Sequence, residues 1–240
     1  VKMRIGGFAG KVMQRLGLAD GSAAAFDVNS TCLGFLTAFE TASRLIEAGQ
    51  CRTALVFSSE IASRALPWRD QPEIAALFGD GAAAAVVRQA APGEGRVAAN
   101  LMRTYPSAYE ACSIGSGGTR FDFHRQPEEF AHHSLFHMDG KELFRVTSRH
   151  FNGFVAELLD RAGWRRDDVD VVVPHQASPF ALAHMARQTG FAPEKLIDIA
   201  ARYGNQIAAS IPFALDVARR EQCIAPGAKV LFLGTSAGVS

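Results

Sequence analysis

The chain repeats one order of elements twice, and this repetition constrains its fold more than any other feature. In each copy a short apolar run is followed by a reactive polar residue, an amphipathic helix and another apolar run. The copies lie at residues 23–58 and 169–199 and share little identity. Apolar runs that alternate with helices are typical of an α/β fold in which helices cover sheets. The repetition therefore predicts an α/β protein with two similar halves facing each other.

Hydrophobic periodicity places the individual elements. It predicts strands at residues 23–28, 53–58, 82–87, 169–173, 196–199 and 229–233, and helices from Cys32 to Gly49 and at 142–162, 178–188 and 207–220. The run at 169–173 is rich in valine, as expected of a strand buried on both faces of a sheet. The first eighteen residues favour either a helix or an ill-defined segment.

Charge and the length of the apolar runs exclude several classes of protein. The 240 residues carry 25 Lys and Arg against 24 Asp and Glu, a formal net charge of +1. A balanced charge offers no electrostatic footprint for nucleic acid or an anionic membrane. The apolar runs are far shorter than the ~20 residues of a membrane span, and the first twenty residues lack a signal-peptide pattern. We expect a cytoplasmic protein without a nucleic-acid partner or a membrane span.

The four cysteines form no CxxC pair, so neither a disulfide framework nor a cysteine metal site is expected. Three of them (Cys51, Cys112 and Cys223) are predicted to be small buried hydrophobic residues. Cys32 differs because it lies where a predicted strand ends and a helix begins. Unpaired N–H groups at a helix N-terminus stabilise a thiolate and lower its pKa. The same groups can stabilise an oxyanion formed when the sulfur attacks a thioester.

Two other polar residues occupy comparable positions. His175 follows the predicted strand at 169–173 within PHQAS, and ligands of open α/β sheets bind beyond the carboxyl ends of strands. Asn205 lies in the turn YGNQIAAS before a helix. Taken singly, the histidine could cap the next helix and the asparagine could simply form a turn. All three residues are followed by small residues, which favours a narrow buried channel over three independent turns.

Five ordered motifs carry a specific resemblance. DVNSTCLGF, FGDGAAAAVV, MDGKELF, VPHQAS and YGNQIAASIP resemble the β-ketoacyl-acyl-carrier-protein synthase III family of the thiolase superfamily. The resemblance runs from about Ala23 to the C-terminus and implies a five-layered αβαβα fold. It implies that residues 1–110 are the remnant of the N-terminal half and residues 111–240 form the C-terminal half. It also implies that an N-terminal part and a closing strand after Ser240 are missing.

The resemblance implies an activity and a set of catalytic residues. Cys32 would be acylated by an acyl thioester, from acyl-CoA or an acyl-carrier protein. His175 and Asn205 would hold the carbonyl of malonyl-acyl-carrier protein during decarboxylation, and the carbanion would attack the acyl group in a Claisen condensation. Loss of carbon dioxide requires donors at the developing enolate oxygen rather than a strong base, and the residues agree with that requirement. A homodimer without cofactor or metal is expected.

The resemblance also assigns substrate contacts. The N–H of Cys32 and one from the loop at 234–238 would form the oxyanion hole, and Phe78 would line the acyl pocket. The other implied substrate-binding residues are Gly140, Phe144, Ala177, Ser178 and Ala237. The chain departs from the family at Pro72, at the sequence HQAS followed by Pro179 and Phe180, and at the GTSAG loop. These departures favour a divergent paralogue with a different acyl donor or carrier.

Other functions stay open or are disfavoured. A thiolase-fold acyltransferase or thioester hydrolase could use Cys32 without decarboxylation. A non-catalytic subunit of a heterodimer would have no need for all three residues. A papain-like hydrolase is disfavoured because Cys32 follows a predicted buried strand and no CGSCW-like sequence surrounds it. A group of histidines beside two aspartates is expected to be a surface or interface patch rather than a metal site: His124, His132, His133 and His137 with Asp122 and Asp139.

Overall fold

The computed structural model describes residues 7–239. The helices in this range are α1 (Phe8–Arg15), α2 (Gly34–Glu47), α3 (Pro72–Ala75), α4 (Pro127–His132), α5 (Gly140–Ala162), α6 (Pro179–Thr189), α7 (Ala200–Tyr203) and α8 (Ser210–Arg220). The strands are β1 (Thr53–Glu60), β2 (Gly81–Arg88), β3 (Cys112–Ser113), β4 (His137–Met138), β5 (Val171–Pro174) and β6 (Val230–Leu233). Short 3₁₀ turns precede two of the helices, Thr31–Leu33 before α2 and Ile207–Ala209 before α8.

Helices α2 and α8 form a central layer between two sheets. On one side lies the antiparallel pair β1–β2, whose inward-facing Val56 packs against Phe35 and Ala42 of α2. On the other side lies the parallel pair β5–β6, whose inward-facing Val171 and Val173 pack against α8. Both central helices therefore bury apolar side chains on two opposite faces.

An outer helical layer covers the β5–β6 sheet. Val155, Leu158 and Leu159 of α5 pack on the far face of β5, and α6 packs beside α5. On the outer face of β1–β2, the ring of Phe8 in α1 lies 6.0 Å from that of Phe57, whereas the paired Leu55 and Val86 on the same face are 46% and 69% exposed. The described residues therefore show four complete layers of the predicted αβαβα arrangement, and α1 contacts part of the remaining sheet face.

Most predicted elements are confirmed within a residue or two. The strands predicted at 53–58, 82–87 and 229–233 and the helices predicted at 142–162, 178–188 and 207–220 are all present. Residue Gly49 has a φ of 70° and its N–H bonds to the carbonyl of Ile46, so it ends α2 as predicted. The segment predicted as helical or ill-defined over the first eighteen residues contains α1, although residues 1–6 lie outside the described range.

The strand predicted at residues 23–28 is wrong. This segment has no regular secondary structure, and every residue from Ala23 to Asp27 is exposed. A strand requires a neighbouring chain for its backbone hydrogen bonds, and no strand within residues 7–239 pairs with it. Its Asp27 carboxylate instead accepts hydrogen bonds from the backbone N–H groups of Phe8 and Ala9 at the start of α1.

The strand predicted at residues 196–199 is reduced to a single bridge between Val172 and Leu196. The reason is that the Gln176 side chain takes the place of a partner strand in the backbone hydrogen bonding. Gln176 Nε2 donates to the carbonyl of Ile197, and Gln176 Oε1 accepts from the N–H of Ile199. These backbone groups are therefore satisfied without a partner strand, and α7 begins at the next residue, Ala200.

None of the helices in residues 7–239 combines the length and the apolar character that crossing a membrane requires.

Candidate active site

Cys32 lies in the 3₁₀ turn Thr31–Leu33 that leads into α2. The turn begins with an unusual backbone, because Thr31 has a φ of 47° although it is not glycine. The side chain of Asn29 supports this conformation by accepting a hydrogen bond of 3.1 Å from the Thr31 N–H. Non-glycine residues with positive φ persist only where their surroundings hold them, and they cluster at active sites. The strained turn fixes the direction in which the Cys32 sulfur points.

The Cys32 thiol is held in its protonated form. Burial, with smaller contributions from Cys112 and Glu60, raises its pKa to about 12. The backbone N–H groups of Ala237 and of Cys32 itself oppose this by stabilising the thiolate. The lowered pKa predicted from the helix N-terminus is therefore wrong, because the cost of burying a charge exceeds the stabilisation by the N–H groups. These N–H groups belong to Cys32 and to the 234–238 loop, the two places from which the resemblance draws the donors of an oxyanion hole.

The loop at 234–238 ties Cys32 to the other half of the molecule. A Cβ atom on Gly234 would lie 2.9 Å from Leu33 Cδ2 and 3.0 Å from His175 Cβ, so only glycine fits between these two side chains. Two residues further on, Ser236 Oγ donates a hydrogen bond of 2.8 Å to the carbonyl of Ser30. The loop thereby brings the segment around Cys32 against the end of β5.

His175 directly follows β5 and is buried. Its backbone N–H bonds to the carbonyl of Leu233, and the neighbouring Gln176 is fully hydrogen-bonded within the core. Burial lowers the pKa of the imidazole to about 4, so the ring is neutral at pH 7. Its Nδ1 atom has no hydrogen-bond partner among the described residues. No carboxylate in that range therefore orients this imidazole or stabilises an imidazolium.

Asn205 lies in a turn that forms an isolated bridge with Phe78, just before β2. Its backbone N–H donates to the carbonyl of Leu77, and its own carbonyl accepts from the N–H of Gly79. The two segments approach so closely that a Cβ on Gly79 would collide with the carbonyl oxygen of Tyr203. The FGDG motif therefore supplies the glycine that lets the Asn205 turn dock.

The side-chain amide of Asn205 has a defined orientation. Its Oδ1 accepts from the N–H of Ile207 at 2.9 Å and lies 3.4 Å from Ser210 Oγ, which donates to it. The Ser210 hydroxyl is itself fixed because it accepts a bond of 3.0 Å from the N–H of Gln206. Because Oδ1 is occupied, Nδ2 is the remaining hydrogen-bonding group of this amide, and its hydrogens form the donor edge of this residue.

Three of the predicted substrate-binding residues lie beside these groups. Phe78 pairs with Asn205, and its ring stands edge-on to Phe136 at 5.2 Å. Ala237 directs its N–H at Cys32, and Ala177 follows His175 by two residues and bonds back to its carbonyl. These positions suit residues that line a pocket around the Cys32 sulfur.

The other predicted substrate residues lie on the outer helical layer. Ser178 is the N-cap of α6, where its hydroxyl accepts from the N–H of Ala181. Gly140 is the exposed first residue of α5. The ring of Phe144, 38% exposed, packs with its centroid 4.1 Å from that of His184 in α6.

The remaining cysteines and histidines form no second site. The described residues contain no group of three or more side chains that could hold a metal ion. In the histidine patch, Asp139 caps α5 and Asp122 accepts from the backbone of His124. The prediction that Cys51, Cys112 and Cys223 are buried is wrong for Cys223, which is exposed, whereas the other two are half-buried.

Sequence reasoning missed three residues that shape the site: Glu60, Gln176 and Ser210. Glu60 is the one of the three with a visible signal, because it is a charged residue that directly follows the apolar run of TALVFSSE, where a carboxylate is costly to bury. Gln176 and Ser210 carry no such signal, since their partners are backbone groups that lie near them only in the fold.

Known proteins match the chain along most of its length. The family model of 3-oxoacyl-[acyl-carrier-protein (ACP)] synthase III matches residues 26–106, and the model of the C-terminal part of that family matches residues 159–240. The beta-ketoacyl-[acyl-carrier-protein] synthase III 3 of Streptomyces coelicolor is 35% identical over 224 residues, which are 93% of this chain and 66% of that protein. The synthase III of Paramagnetospirillum magneticum is 36% identical over 234 residues, 96% of this chain and 68% of that protein.

A solved structure of a synthase III has the same fold as this chain. The crystal structure of 3-oxoacyl-(acyl carrier protein) synthase III from Pseudomonas aeruginosa PAO1 has a TM-score of 0.84 and 31% identity, covering 96% of this chain and 68% of that one. The layered fold shared with this structure is thiolase-like. Within that class, the chain belongs to the 3-oxoacyl-[acyl-carrier-protein] synthase III family. It spans about two thirds of the length of the curated relatives it matches, for example 66% and 68% of the two above.

Proposed function

We propose that this chain carries the condensing site of a 3-oxoacyl-acyl-carrier-protein synthase III type of acyltransferase. Cys32 accepts an acyl group from an acyl thioester, and His175 and Asn205 promote decarboxylation of a malonyl thioester on acyl-carrier protein. Membership of the family supports the reaction class. The contacts that bring the turn of Cys32 against the end of β5 and against the turn after Asn205 support the roles of the three residues. The products are a 3-oxoacyl thioester, carbon dioxide and the free thiol of the acyl donor.

In the first half-reaction, the Cys32 sulfur attacks the carbonyl carbon of the donor thioester. The carbonyl oxygen becomes an oxyanion, and the N–H groups of Cys32 and Ala237 are placed to stabilise it. When the tetrahedral intermediate collapses, the bond to the donor sulfur breaks. The donor leaves as a thiol with the proton that Cys32 has lost, and an acyl thioester remains on Cys32.

In the second half-reaction, the malonyl thioester loses its carboxylate as carbon dioxide. The electron pair of the broken C–C bond moves into an enolate, whose oxygen accepts hydrogen bonds from His175 and from Asn205 Nδ2. The enolate carbon then attacks the acyl carbonyl on Cys32, forming the new C–C bond and expelling the cysteine thiolate. Because burial favours the neutral thiol, the expelled sulfur readily takes up a proton and the site is reset.

The single observation that carries this proposal is the chemistry of the His175–Asn205 pair. A neutral imidazole with a pKa of about 4 and no described partner at Nδ1 is a poor general base. An amide whose Oδ1 is occupied by Ile207 and Ser210 can only donate. Two neutral donors suit an enolate oxygen, whereas a hydrolase requires a base that activates water. The hydrolase alternative is therefore the less favoured of the two.

The remaining expectations belong to the same proposal. The acyl donor is an acyl-CoA or an acyl-carrier protein, no cofactor or metal takes part, and the working unit is a homodimer in the cytoplasm. Residues up to 110 form the half that bears Cys32, and residues from 111 form the half that bears His175 and Asn205. The departures at HQAS and at the GTSAG loop support a paralogue whose donor differs from that of its relatives.

The proposal is tested by intact-mass measurement of the full-length protein after mixing with a panel of acyl-CoAs and acyl-carrier proteins. We expect a mass gain of one acyl group that disappears in Cys32→Ala and persists in the matched control Cys51→Ala, another half-buried free cysteine. Addition of malonyl-acyl-carrier protein should then discharge the adduct and release carbon dioxide and a 3-oxoacyl product. Discharge to a free acid without carbon dioxide would establish the hydrolase instead, and no adduct with any donor would reject an acyl-enzyme.

A further inference from the structure

Glu60 is a half-buried acid that the proposed reaction does not use. It is the last residue of β1, and its Cα partner across the sheet is Gly81 of β2. Burial raises the pKa of its carboxyl group, which is the usual consequence of removing a carboxylate from water. A half-buried carboxylate costs stability unless it has partners, so its contacts call for an explanation.

Those contacts join β1 to the turn that precedes α8. Ser58 Oγ donates a hydrogen bond of 3.0 Å to Glu60 Oε1, which fixes the carboxylate on the sheet side. On the other side, the backbone N–H of Ala208 stabilises the ionised form of the carboxylate. Ala208 is the middle residue of the turn Ile207–Ala209, so Glu60 contacts a turn that begins only two residues after Asn205.

This turn needs external support. Ile207 has a φ of 52°, a conformation that costs of the order of 1–3 kcal/mol for a non-glycine residue and is especially crowded for a β-branched one. The neighbouring Gln206 lies directly on the sheet, because a Cβ on Gly81 would be 2.6 Å from its side-chain amide. Gly81 and Glu60 are paired, so the end of the β1–β2 sheet touches the turn at two adjacent points.

We propose that Glu60 is a positioning residue of the condensing site, whose carboxylate holds the strained turn 206–209 and thereby fixes the donor edge of Asn205. The inference rests on the proposed function, because it concerns how Asn205 is presented to the malonyl thioester. Glu60 touches neither substrate in this scheme and acts only through Asn205. Its loss is therefore expected to impair decarboxylation and to spare acylation of Cys32.

The charge of Glu60 also acts on Cys32. Burial is the largest cause of the raised pKa of the Cys32 thiol, and Cys112 and Glu60 raise it further. The N–H groups of Ala237 and Cys32 lower this pKa. Removal of the Glu60 charge should therefore make Cys32 easier to ionise and faster to alkylate. A general loss of structure would not produce faster alkylation and undiminished acylation of Cys32 together with slower decarboxylation.

Two substitutions separate the hydrogen bond from the charge. Glu60→Gln keeps an oxygen that accepts from the Ala208 N–H, whereas Glu60→Ala removes both the acceptor and the charge. We expect Glu60→Ala to lower kcat for malonyl-acyl-carrier protein decarboxylation by about 10- to 100-fold, the size typical of a small misplacement, with KM unchanged. Glu60→Gln should restore kcat to within about threefold, and both variants should be alkylated at a lower pH than the wild type. Glu73→Ala, an exposed acid on α3, is the matched control and should change neither property.

Hydrogen exchange of the peptide covering 203–210 supplies a readout that does not depend on activity. Exchange at Ala208 and Ala209 should accelerate in Glu60→Ala and remain at the wild-type rate in Glu60→Gln. Unchanged exchange in Glu60→Ala would overturn the positioning role, even if the wild type proved to decarboxylate no malonyl thioester and the proposed function itself failed. Equal loss of kcat in both variants, with the wild-type exchange rate, would also overturn it, because charge rather than position would then be responsible.

Discussion

The segments that precede Cys32 and His175 are both predicted to be strands from their apolar residues, and they differ in the fold. Residues Val171–Pro174 form a strand in which every residue is buried, paired with β6 on one side and bridged to Leu196 on the other. Residues 23–28 lie exposed and pair with no strand in the described part of the chain. A valine-rich run between two neighbours becomes a core strand, and an alanine-rich run without a described neighbour does not.

The difference teaches how each reactive residue keeps its position. His175 is held by its own strand and by the Gln176 side chain, both of which belong to the core. Cys32 is held by its strained turn and by contacts from a loop about two hundred residues further along the chain. The histidine side is therefore expected to be stiff, and the cysteine side to depend on long-range contacts.

The largest expected effect is a loss of decarboxylation, on the side of His175 and Asn205, without a loss of acylation on the side of Cys32. Asn205→Ala removes one donor to the enolate oxygen and should lower the rate of malonyl decarboxylation by about 10²–10³-fold, the usual loss for one such donor. Acylation of Cys32 should remain near the wild-type rate, because its oxyanion is stabilised by Ala237 and Cys32. Single-turnover mass spectrometry measures both steps, and a similar loss in both would contradict the separation.

The next effect concerns the buried imidazole of His175. Its pKa is about 4 in the folded protein, whereas an unfolded histidine titrates near 6.5, so below pH 6.5 the unfolded chain binds the proton more readily. This contribution to stability is fully present above about pH 6.5 and is lost as the pH falls toward 4, up to about 3 kcal/mol. Urea unfolding from pH 7.5 to 4.5 should show that loss in the wild type.

The matched substitutions isolate the group responsible. Relative to the wild type, His175→Gln should flatten the pH dependence, because the residue can no longer take up a proton on unfolding. His132→Gln, at an exposed position, should leave it unchanged. Parallel curves for the wild type and His175→Gln would mean that the imidazole has the same pKa in the folded and the unfolded chain, and the permanently neutral donor proposed here would lose its basis.

The sequence predicts those parts of the fold and of the site that local residues determine, and it fails for those that distant neighbours determine. Local patterns sufficed for the helices, for strands with clear apolar runs and for the placement of Cys32, His175 and Asn205 at the ends of elements. They failed where the outcome depends on a neighbour: the unpaired segment at 23–28, and the segment after Leu196, where Gln176 replaces a strand ladder. The sign of the Cys32 pKa shift was likewise missed, because burial is a property of the assembled layers rather than of a helix N-terminus.

The smallest expected effect tests the dependence of Cys32 on the distant loop. Ser236→Ala removes the hydrogen bond to the carbonyl of Ser30 and should lower the free energy of unfolding by about 1 kcal/mol. The substitution should also change the reactivity of Cys32. When the turn is held less firmly the sulfur becomes more exposed, and the pKa of the thiol falls towards its ordinary value. Iodoacetamide should then alkylate Cys32 faster than in the wild type at the same pH.

Ser134→Ala, which removes a similar bond to Ala131 on the exposed surface, is the control. If Ser236→Ala matches the wild-type alkylation rate, the strained turn alone holds the cysteine, and the contrast with His175 largely disappears.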